Sequence, residues 1–436
     1  MKRLLAVLFL LATPLFAQTL DQRIDRELPS LVQTYKTLHA APELSGQEEK
    51  TSAFVAARLR ELGWTVTYPF GKYDDPNATC WGVVAVMKNG KGPTVLVRSD
   101  MDALPVIEQT GLAYASTVKT KNATGEEVGV MHACGHDLHM TTLLGTAKML
   151  ADAKAQWHGT VILVGQPAEE IVRGADGMLR AGLYEQFGKP NYAIAVHDWA
   201  TLEAGKIGYC PGFFMSNSDS VNITVRGVGG HGASPQSTKD PVVVAAETIL
   251  ALQTIVSRET SPLDPVVVTV GSIHGGAKRN VIPDEVKLLL TVRTYKPEVR
   301  KRVLASIERV ARGVAIAAGL PEDRLPVVEI LQSEATDATY NDPALTERLA
   351  KSLEGVLGAA NVVRIDPAMV SEDFGRFGIN REVPVAMLAL GAVDPAKVAS
   401  GQRLPSLHSS QFAPLPEPAI RTGVKAVTTM VLDLLK

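Results

Sequence analysis

The densest group of metal-binding residue types lies in one short segment of the chain. Residues 131–139 read MHACGHDLH and hold one thiol, three imidazoles and one carboxylate. Thiolate, imidazole and carboxylate groups are the ligands that Zn²⁺ or Mn²⁺ uses in proteins. Gly135 separates Cys134 from His136, and a glycine lets the backbone turn close to an ion. The segment therefore predicts a divalent-metal site that includes Cys134 and His136.

Two adjacent acids follow a strongly apolar segment that we predict to be a buried strand. Residues 159–164 read GTVILV, and Glu169 and Glu170 come shortly afterwards. Open α/β sheets bind their ligands at the carboxyl ends of such strands. Neighbouring side chains point in different directions, so one acid can bind a metal while the other faces a water molecule. A solvated acidic turn is the alternative interpretation of this pair.

Two histidines elsewhere in the chain are candidates for the same site. His197 ends the apolar segment 192–196, which we predict to be a strand, so its side chain would lie at the edge of the sheet. His408 follows a loop that contains glycine and proline, and a single histidine in such a loop is more often a surface residue. Neither histidine identifies a site by itself.

Three further acids belong to the candidate set. Asp100 and Asp102 stand two positions apart after the strand predicted at 93–97, so they share one face if the backbone is extended. Glu372 precedes an apolar helical segment, where an acid serves equally well as a helix cap. A catalytic role and a structural role therefore both stay open for Glu372.

Helical and strand patterns alternate along most of the chain, which is typical of an α/β sandwich with a mostly parallel sheet. Residues 218–331 instead follow the order β-α-β-β-α-β, the split arrangement of ferredoxin-like domains. The first pattern resumes at Pro343, so we predict a catalytic domain made of two sequence segments with an inserted ferredoxin-like lid. The predicted divisions are 18–215 and 332–436 for the catalytic domain and 216–331 for the lid.

Individual elements follow from the spacing of apolar residues. The predicted helices cover 21–62 with a break at 42–46, 140–151, 241–256, 298–318 and 418–435. The predicted strands cover 64–68, 80–87, 93–97, 159–164, 192–196, 221–225, 266–270, 285–294 and 326–330.

The N-terminal segment has the pattern of a cleaved signal peptide. Lys2 and Arg3 precede the apolar residues 4–16, and Ala17 is a small residue of the kind found at cleavage sites. The apolar stretch is shorter than the roughly 20 residues that a bilayer span needs, and we identify no later segment that qualifies. We therefore expect residues 1–17 to be removed from a periplasmic or secreted protein without a membrane span.

Composition narrows the function class. The 436 residues are 46% hydrophobic and carry 44 Lys and Arg against 46 Asp and Glu. This balance excludes a disordered or fibrous protein and provides no basic surface for nucleic acid. Three cysteines leave one unpaired if the protein is exported. If Cys134 binds a metal, Cys80 and Cys210 are either a disulfide, which needs Cα atoms within ~7 Å, or two buried thiols.

A set of motifs in this chain resembles the aminoacylase-type metallopeptidases, and within that group it is most similar to the hippurate hydrolases and the plant auxin-conjugate hydrolases. The resemblance extends from about His39 to the C-terminus. It implies a two-segment catalytic domain with two metal ions and an inserted ferredoxin-like domain that often dimerises. The motifs are DMDALP (100–105), MHACGHD (131–137), GQPAEE (165–170), the strand end at His197, GGHGASP (229–235), NVIP (280–283), SEDF (371–374) and LHS (407–409).

The resemblance also implies roles for single residues. Glu169 becomes the general acid/base, His231 an oxyanion donor from its own or a neighbouring subunit, and Asn280 a substrate contact. Arg293 is a candidate partner for a substrate carboxylate, because a guanidinium fork suits that group. Asp100 stands where more distant relatives have a metal-binding histidine, so here it would at most support a ligand. The implied metal ligands are Cys134, His136, Glu170, His197 and His408, with the Cys134 thiolate shared between the ions.

Together these assignments predict an exported two-metal amidohydrolase that cleaves N-acyl amino acids or small dipeptides with a free carboxylate. Cysteine and histidine ligands favour Zn²⁺, the resemblance favours Mn²⁺, and Co²⁺ or Ni²⁺ are further alternatives. A homodimer through the lid is the expected assembly. Two other functions stay open: an inactive relative that only binds metal or ligand, and a hydrolase in which Cys134 is the nucleophile and His136 or His132 the base.

Overall fold

The structure, a computed structural model, describes residues 18–436, and the signal peptide predicted at 1–17 lies outside the described residues. The helices are α1 (Leu20–His39), α2 (Glu49–Glu61), α3 (His136–Asp152), α4 (Gly174–Arg180), α5 (Leu183–Phe187), α6 (Pro241–Thr254), α7 (Pro297–Ala317), α8 (Pro343–Leu357), α9 (Pro395–Ala399) and α10 (Pro416–Leu434). The strands are β1 (Thr65–Phe70), β2 (Gly82–Asn89), β3 (Thr94–Asp100), β4 (Lys119–Lys121), β5 (Glu127–Gly129), β6 (Gly159–Gln166), β7 (Tyr192–Glu203), β8 (Ile207–Tyr209), β9 (Gly212–Met215), β10 (Asp219–Arg226), β11 (Gly230–His231), β12 (Val267–His274), β13 (Val281–Ile282), β14 (Glu285–Arg293), β15 (Val327–Ile330), β16 (Thr339–Asn341), β17 (Val362–Arg364) and β18 (Val385–Val393).

An eight-stranded sheet with the order β1-β2-β6-β3-β7-β18-β8-β17 forms the larger unit. Its centre, β6-β3-β7-β18, is parallel, whereas β1, β2 and β6 pair antiparallel and β18 pairs antiparallel with β8. Strand β6 is buried along its whole apolar length except at Thr160, as a central strand covered on both faces must be. Strands from both ends of the sequence build this sheet, which confirms the two-segment prediction.

Helices cover both faces of the large sheet. The core on one face contains Ile24 of α1, Leu143 of α3 and Val427 of α10, and the core on the other face contains Met178 of α4 and Leu183 of α5. All five of these side chains are at most 2% exposed. The arrangement confirms the predicted α/β sandwich.

The inserted residues form a separate four-stranded antiparallel sheet with the order β12-β14-β10-β15, and helices α6 and α7 cover one face. Strand β14 reads EVKLLLTVR, and its alternate residues from Val286 to Val292 are buried against the helices. The β-α-β-β-α-β order predicted for residues 218–331 is therefore present. The role of this domain as a lid stays a prediction. The domain limits 18–215, 216–331 and 332–436 also stay predictions.

One strand is longer than its sequence pattern indicates. Strand β7 continues past Val196 to Glu203, so His197 lies within it and does not end it. Pairing with β18 supports the extension as far as Glu203. On its other side β7 pairs with β3, and this pairing ends where Arg98 lies opposite Ala195. His197 therefore lies beyond the paired part of β3.

The three cysteines are all buried free thiols. Cys80 and Cys210 therefore do not form the disulfide that the sequence left open. Cys210 instead donates to the carbonyl oxygen of Phe213 at 3.4 Å.

Helix α6 and the helical turn that continues it, Ile255–Glu259, together form one stretch of the described residues that is long and apolar enough to cross a membrane by length and composition. This corrects the expectation that no later segment qualifies. Val244, Thr248 and Leu252 of this helix are buried in the small domain, so its inner face packs as a core helix does.

Candidate metal centre

The predicted metal ligands and Glu169 meet at the edge of the large sheet where parallel strands end. Asp100 is the last residue of β3, Glu169 follows β6, and His197 lies in the part of β7 that extends beyond β3. His136 is the first residue of α3, which starts four residues earlier than its sequence pattern indicated. This edge is where open α/β sheets bind ligands.

The five predicted ligands form one cluster. The Cys134 Sγ atom lies 3.3 Å from His408 Nε2 and 3.7 Å from His197 Nε2. Glu170 lies between His408 and His136. Its Oε2 is 3.5 Å from His408 Nε2, and its Oε1 is 3.8 Å from His136 Nε2. The structure therefore brings together residues that are up to 274 positions apart in the chain.

The atoms that face the cluster are suited to a divalent cation. Within the described part of the chain, His136 Nε2 and Glu170 Oε1 are buried and have no hydrogen-bond partner. Buried polar atoms in folded proteins nearly always have one. Thiol, imidazole and carboxylate groups within 4.8 Å of one another are also the donor set that Zn²⁺ or Mn²⁺ takes. The cluster therefore fits a metal ion.

Gly135 makes the turn between Cys134 and His136. Its φ is +71°, a left-handed conformation that favours glycine, and a Cβ atom there would lie 2.5 Å from the Asp198 carboxylate. The glycine thus allows the start of α3 to approach β7 closely. The turn that the sequence indicated is therefore present, while its closeness to an ion stays a prediction.

Hydrogen bonds fix the orientation of two imidazole rings. His136 Nδ1 donates to the backbone oxygen of Asp102 at 2.8 Å, and His197 Nδ1 donates to the backbone oxygen of Asp198 at 2.9 Å. In both rings Nε2 is left to face the cluster. Metal-binding histidines are usually oriented by a bond of this kind on the other nitrogen.

Asp100 contacts a histidine that the sequence did not single out. His139 Nδ1 donates to Asp100 Oδ1 at 2.6 Å, and the Asp198 N–H donates to His139 Nε2 at 2.8 Å. The other oxygen, Asp100 Oδ2, lies 3.6 Å from His136 Nε2. Asp100 therefore supports the cluster, and the third imidazole of residues 131–139 was the signal that could have identified His139.

Glu169 lies beside the ligand set and is 6% exposed. Its Oε2 is 3.9 Å from His136 Nε2, and its carboxylate is within 4.8 Å of those of Glu372 and Asp373. Burial, and then the charges of Glu372 and Glu170, hold the pKa of Glu169 well above its usual range. A carboxyl group in this environment readily holds a proton.

Arg98 is the positively charged residue that contacts the buried acids around Glu169. Its guanidinium contacts Glu372 at 2.7 Å, Asp100 at 2.6 Å and Asp373 at 3.2 Å, and its side chain is 1% exposed. Glu372 also accepts from the Phe374 N–H at 2.9 Å at the start of a short 3-10 turn, Phe374–Gly378, so it has a structural role, and a catalytic role for it stays a prediction. A charged residue inside a buried strand was the sequence signal for Arg98.

Comparison with known proteins identifies the family. The profile of Peptidase family M20/M25/M40 matches residues 96–433. The chain belongs to this family. It is a hydrolase, which confirms the family resemblance of its motifs.

Relatives of this M20-family chain cover nearly its whole length. An N-acetyldiaminopimelate deacetylase of Leuconostoc citreum is 34% identical over 404 residues, which are 92% of this chain and 96% of the relative. Thermostable carboxypeptidase 1 of Saccharolobus solfataricus is 33% identical over 399 residues, 91% of this chain and 93% of the relative. The crystal structure of the Bacillus subtilis YXEP protein, described as a dinuclear metal binding peptidase of the M20 family, superposes with a TM-score of 0.74 at 27% identity and covers 94% of this chain and 99% of that one.

Three candidate residues of this M20-family chain lie away from the cluster. His231 in β11 and Asn280, the residue before β13, are both exposed, and the Gly232 N–H donates to the Asn280 oxygen at 2.9 Å. Arg293 ends β14 at the opposite end of the small sheet, and its Nε donates to Thr291 Oγ1 at 3.3 Å. Within the described residues, none of the three makes a hydrogen bond or ion pair with the cluster. The three do not form one substrate pocket within a single chain.

A cavity of about 980 Å³ is separate from the candidate metal centre. It lies at the junction of the two units and is lined by residues that include Asn217, Tyr295, Tyr340 and Arg376. No cluster residue lines it. The candidate site of this M20-family hydrolase is therefore assigned from its donor atoms and not from this cavity.

Proposed function

We propose that this protein is a metal-dependent amidohydrolase that cleaves the amide bond of N-acyl amino acids or small peptides with a free carboxylate. The observation that carries the proposal is the buried Glu169 carboxylate, 3.9 Å from His136 Nε2 and outside the five-residue ligand set. A carboxylate in this place can move a proton at the reacting atoms without itself binding the metal. The names of the two relatives, a deacetylase and a carboxypeptidase, support an amide substrate.

The proposed ligands of two divalent ions are Cys134, His136, Glu170, His197 and His408. When bound, such ions polarise an amide carbonyl and lower the pKa of a water molecule. The description of the Bacillus subtilis relative as dinuclear supports a pair of ions. Zn²⁺ and Mn²⁺ both suit the donor set, with Co²⁺ or Ni²⁺ as further alternatives.

Glu169 does the proton transfer in this proposal. Its carboxylate accepts a proton from the attacking water and later donates it to the leaving nitrogen. The same carboxyl group can serve both steps because it lies beside the proposed ligands without being one of them. Glu170, the next residue, fixes the backbone beside the cluster.

We further propose that His231 and Asn280 contact the substrate in the site of a neighbouring subunit. They lie at the far end of the small sheet, and strand β10, of eight residues, separates that end from the junction by roughly 23 Å at ~3.3 Å per residue. The Ala233 N–H donates to His231 Nδ1 at 3.1 Å, so Nε2 carries the proton and can donate to an oxyanion. Arg293 is the proposed partner of the substrate carboxylate.

The assembly that this requires is a homodimer through the small domain. Val243 and Leu250 on the outer face of α6 are 54% and 72% exposed. Ile273 on β12, which is an edge strand, is 58% exposed. An apolar helix face next to an unpaired strand edge supports association with a second copy.

We also propose that the protein works in a periplasm or outside the cell. The support is the sequence of residues 1–17 alone.

A thiol mechanism is less well supported. Burial, and then the charges of Glu170 and Asp198, raise the pKa of Cys134 well above its usual range. The histidines that contact the Cys134 Sγ atom are His408 at 3.3 Å and His197 at 3.7 Å. Within the described residues, neither His136 nor His132, the bases that a thiol mechanism would use, makes a hydrogen bond with it. Activity that survives EDTA and is abolished by iodoacetamide would nevertheless favour the thiol mechanism.

The test is the activity of Glu169 variants on hippurate-like, acetyl-amino-acid and dipeptide substrates after loading with Zn²⁺, Mn²⁺ or Co²⁺. We expect Glu169→Gln and Glu169→Ala to retain the metal and lose roughly 10²–10⁴-fold in kcat. Glu61→Gln, a change of an exposed glutamate, is the control. Wild-type rates in metal-replete Glu169→Ala would overturn the proposal, and a wild-type protein with neither metal nor activity would favour a binding protein.

A further inference from the structure

The turn that carries Glu169 has a strained backbone. Ala168 has a φ of +51°, a left-handed conformation that is uncommon for a residue other than glycine. Its carbonyl oxygen accepts from the N–H groups of Arg173 and Gly174 at 3.0 and 3.2 Å. Its own N–H points the other way, so a partner for it must come from outside the turn.

That partner is Glu48, in the loop between α1 and α2. The Ala168 N–H donates to Glu48 Oε1 at 2.8 Å across 120 positions of sequence. Glu48 is fully buried, and its other oxygen, Oε2, is without a hydrogen-bond partner among the described residues. A buried carboxylate is costly unless it is fully hydrogen-bonded, so the fold alone does not favour this residue here.

The loop that carries Glu48 also helps to hold Glu170, the residue after Glu169. The Glu170 N–H donates to Asp102 Oδ2 at 3.0 Å, and Ser45 Oγ donates to the same oxygen at 2.6 Å. The backbone N–H groups before and after Glu169 are thus both bound by carboxyl groups. One belongs to Glu48, and the other belongs to Asp102, which accepts a hydrogen bond from Ser45 of the same loop as Glu48.

We propose that Glu48 is a positioning residue that aims the Glu169 carboxylate by accepting the Ala168 N–H. This inference rests on the proposed role of Glu169. If the acceptor is removed, the N–H is left buried and unpaired, and Ala168 gains by relaxing to a negative φ. Because the peptide between Ala168 and Glu169 then rotates, the Glu169 side chain leaves its place beside His136.

Two variants separate this role from others. Glu48→Met keeps the volume and removes the acceptor, whereas Glu48→Gln keeps a carbonyl oxygen that can accept the same N–H and removes only the ability to ionise. Glu49→Met changes the adjacent, exposed glutamate and is the matched control. Should Glu48→Met fail to fold, Glu48→Ala removes the acceptor and leaves room for water.

The first measurement needs no catalysis. Hydrogen–deuterium exchange of the Ala168 amide should be faster in Glu48→Met than in the wild type and close to the wild-type rate in Glu48→Gln and Glu49→Met. The second is steady-state kinetics with metal analysis, where Glu48→Met should lose roughly 10²-fold in kcat with KM and metal content unchanged, since misplacement by about 1 Å costs that much. Glu48→Gln should recover most of kcat.

The outcomes separate this inference from the proposed function. If the wild type has no amidase activity, the proposed function fails, and the exchange of the Ala168 amide still decides whether Glu48 holds the turn. Unchanged exchange, or a kcat within twofold of the wild type in folded Glu48→Met, overturns the positioning role. Failure of both Glu48→Met and Glu48→Ala to fold also overturns it, because the fold would then require Glu48.

Discussion

The Sγ atom of Cys134 lies 3.3 Å from Nε2 of His408, although 274 residues separate the two. Cys134 is buried next to the start of α3, whereas the His408 side chain is 55% exposed on a late loop. The His408 N–H donates to the Ala133 oxygen at 2.8 Å, which ties that loop to the cysteine turn. The second sequence segment thus closes the candidate metal centre from the solvent side.

This relationship predicts that Cys134→Ser weakens metal binding. A serine hydroxyl is a poorer ligand than a thiolate for Zn²⁺ and cannot bridge ions as well, so affinity should fall by more than the ~10–100-fold that loss of a supporting contact costs. Metal content after dialysis against a weak chelator measures it. Cys80→Ser, a change of another buried free thiol, is the control. Equal metal retention in the two variants would remove Cys134 from the ligand set.

Arg98 should be essential for stability. It is buried among Asp100, Glu372 and Asp373, so Arg98→Met leaves uncompensated buried charges, which typically costs about 3–5 kcal/mol. Urea denaturation of the metal-free protein measures the free energy of unfolding. Arg58→Met is the control, because Arg58 and Glu61 form an exposed pair worth about 0–1 kcal/mol. A similar loss in both variants would contradict the central role of Arg98.

Sequence patterns predicted most of the elements because the spacing of apolar residues is a local property of the chain. Local spacing indicated Cys134 and His136 as candidate ligands, whereas the full set of five came from the family resemblance and stays a prediction. The apolar run of β6 identifies a buried strand, and residues 131–137 carry two ligands and their glycine within one turn. Arg98 and Glu48 were missed because their importance lies in partners far along the chain, 274 positions away for Glu372 and 120 for Ala168. No spacing rule indicates such partners.

The extent of β7 was also beyond the sequence pattern. Polar His197 appeared to end the strand, but β18 pairs with β7 through His197 and beyond, and this pairing overrides the local composition. In the small domain, too, one feature depended on long-range structure. Its element order was predictable, whereas the distance of His231 from the cluster depends on how the whole sheet is oriented.

His39 should make the stability of the protein depend on pH. The ring is buried, with Nδ1 2.7 Å from Asp137 Oδ2 and Nε2 3.0 Å from Glu108 Oε1. Burial alone would lower the pKa of His39, but the two carboxylates raise it from 6.5 to about 10. When folding raises the pKa of a histidine, protonation of the ring stabilises the folded protein. This contribution is fully present below the pKa of the unfolded chain, 6.5, and is lost as the pH rises from 6.5 to about 10.

The difference in unfolding free energy between the wild type and His39→Gln isolates this effect. It should be on the order of a few kcal/mol below pH 6.5 and shrink as the pH rises towards 10. Chemical denaturation at a series of pH values measures it, and His158→Gln, a change of an exposed histidine, is the control. A difference that does not vary with pH would mean that folding leaves the pKa of His39 unchanged, and a difference that grows as the pH rises would mean that His39 is neutral in the folded protein.

The position of His231 predicts that two inactive variants restore each other. His231→Ala should lose roughly 10²–10³-fold in kcat, as removal of one oxyanion donor does, and should retain its metal. If His231 acts in the partner's site, a mixed dimer of His231→Ala and Glu169→Gln contains one complete site, built from the Glu169 of one chain and the His231 of the other. Random mixing in a two-fold dimer then restores about one quarter of wild-type activity.

Mixing wild type with a chain that carries both substitutions is the matched control. A His231 that acts across the dimer predicts that every mixed dimer is inactive, because each site lacks one of the two groups. A His231 that acts within its own chain predicts the reverse: the single variants do not restore each other, and the mixed dimer with wild type keeps one active site. The two experiments therefore give opposite results for the two arrangements, and size measurement of the mixtures confirms that exchange of subunits has occurred.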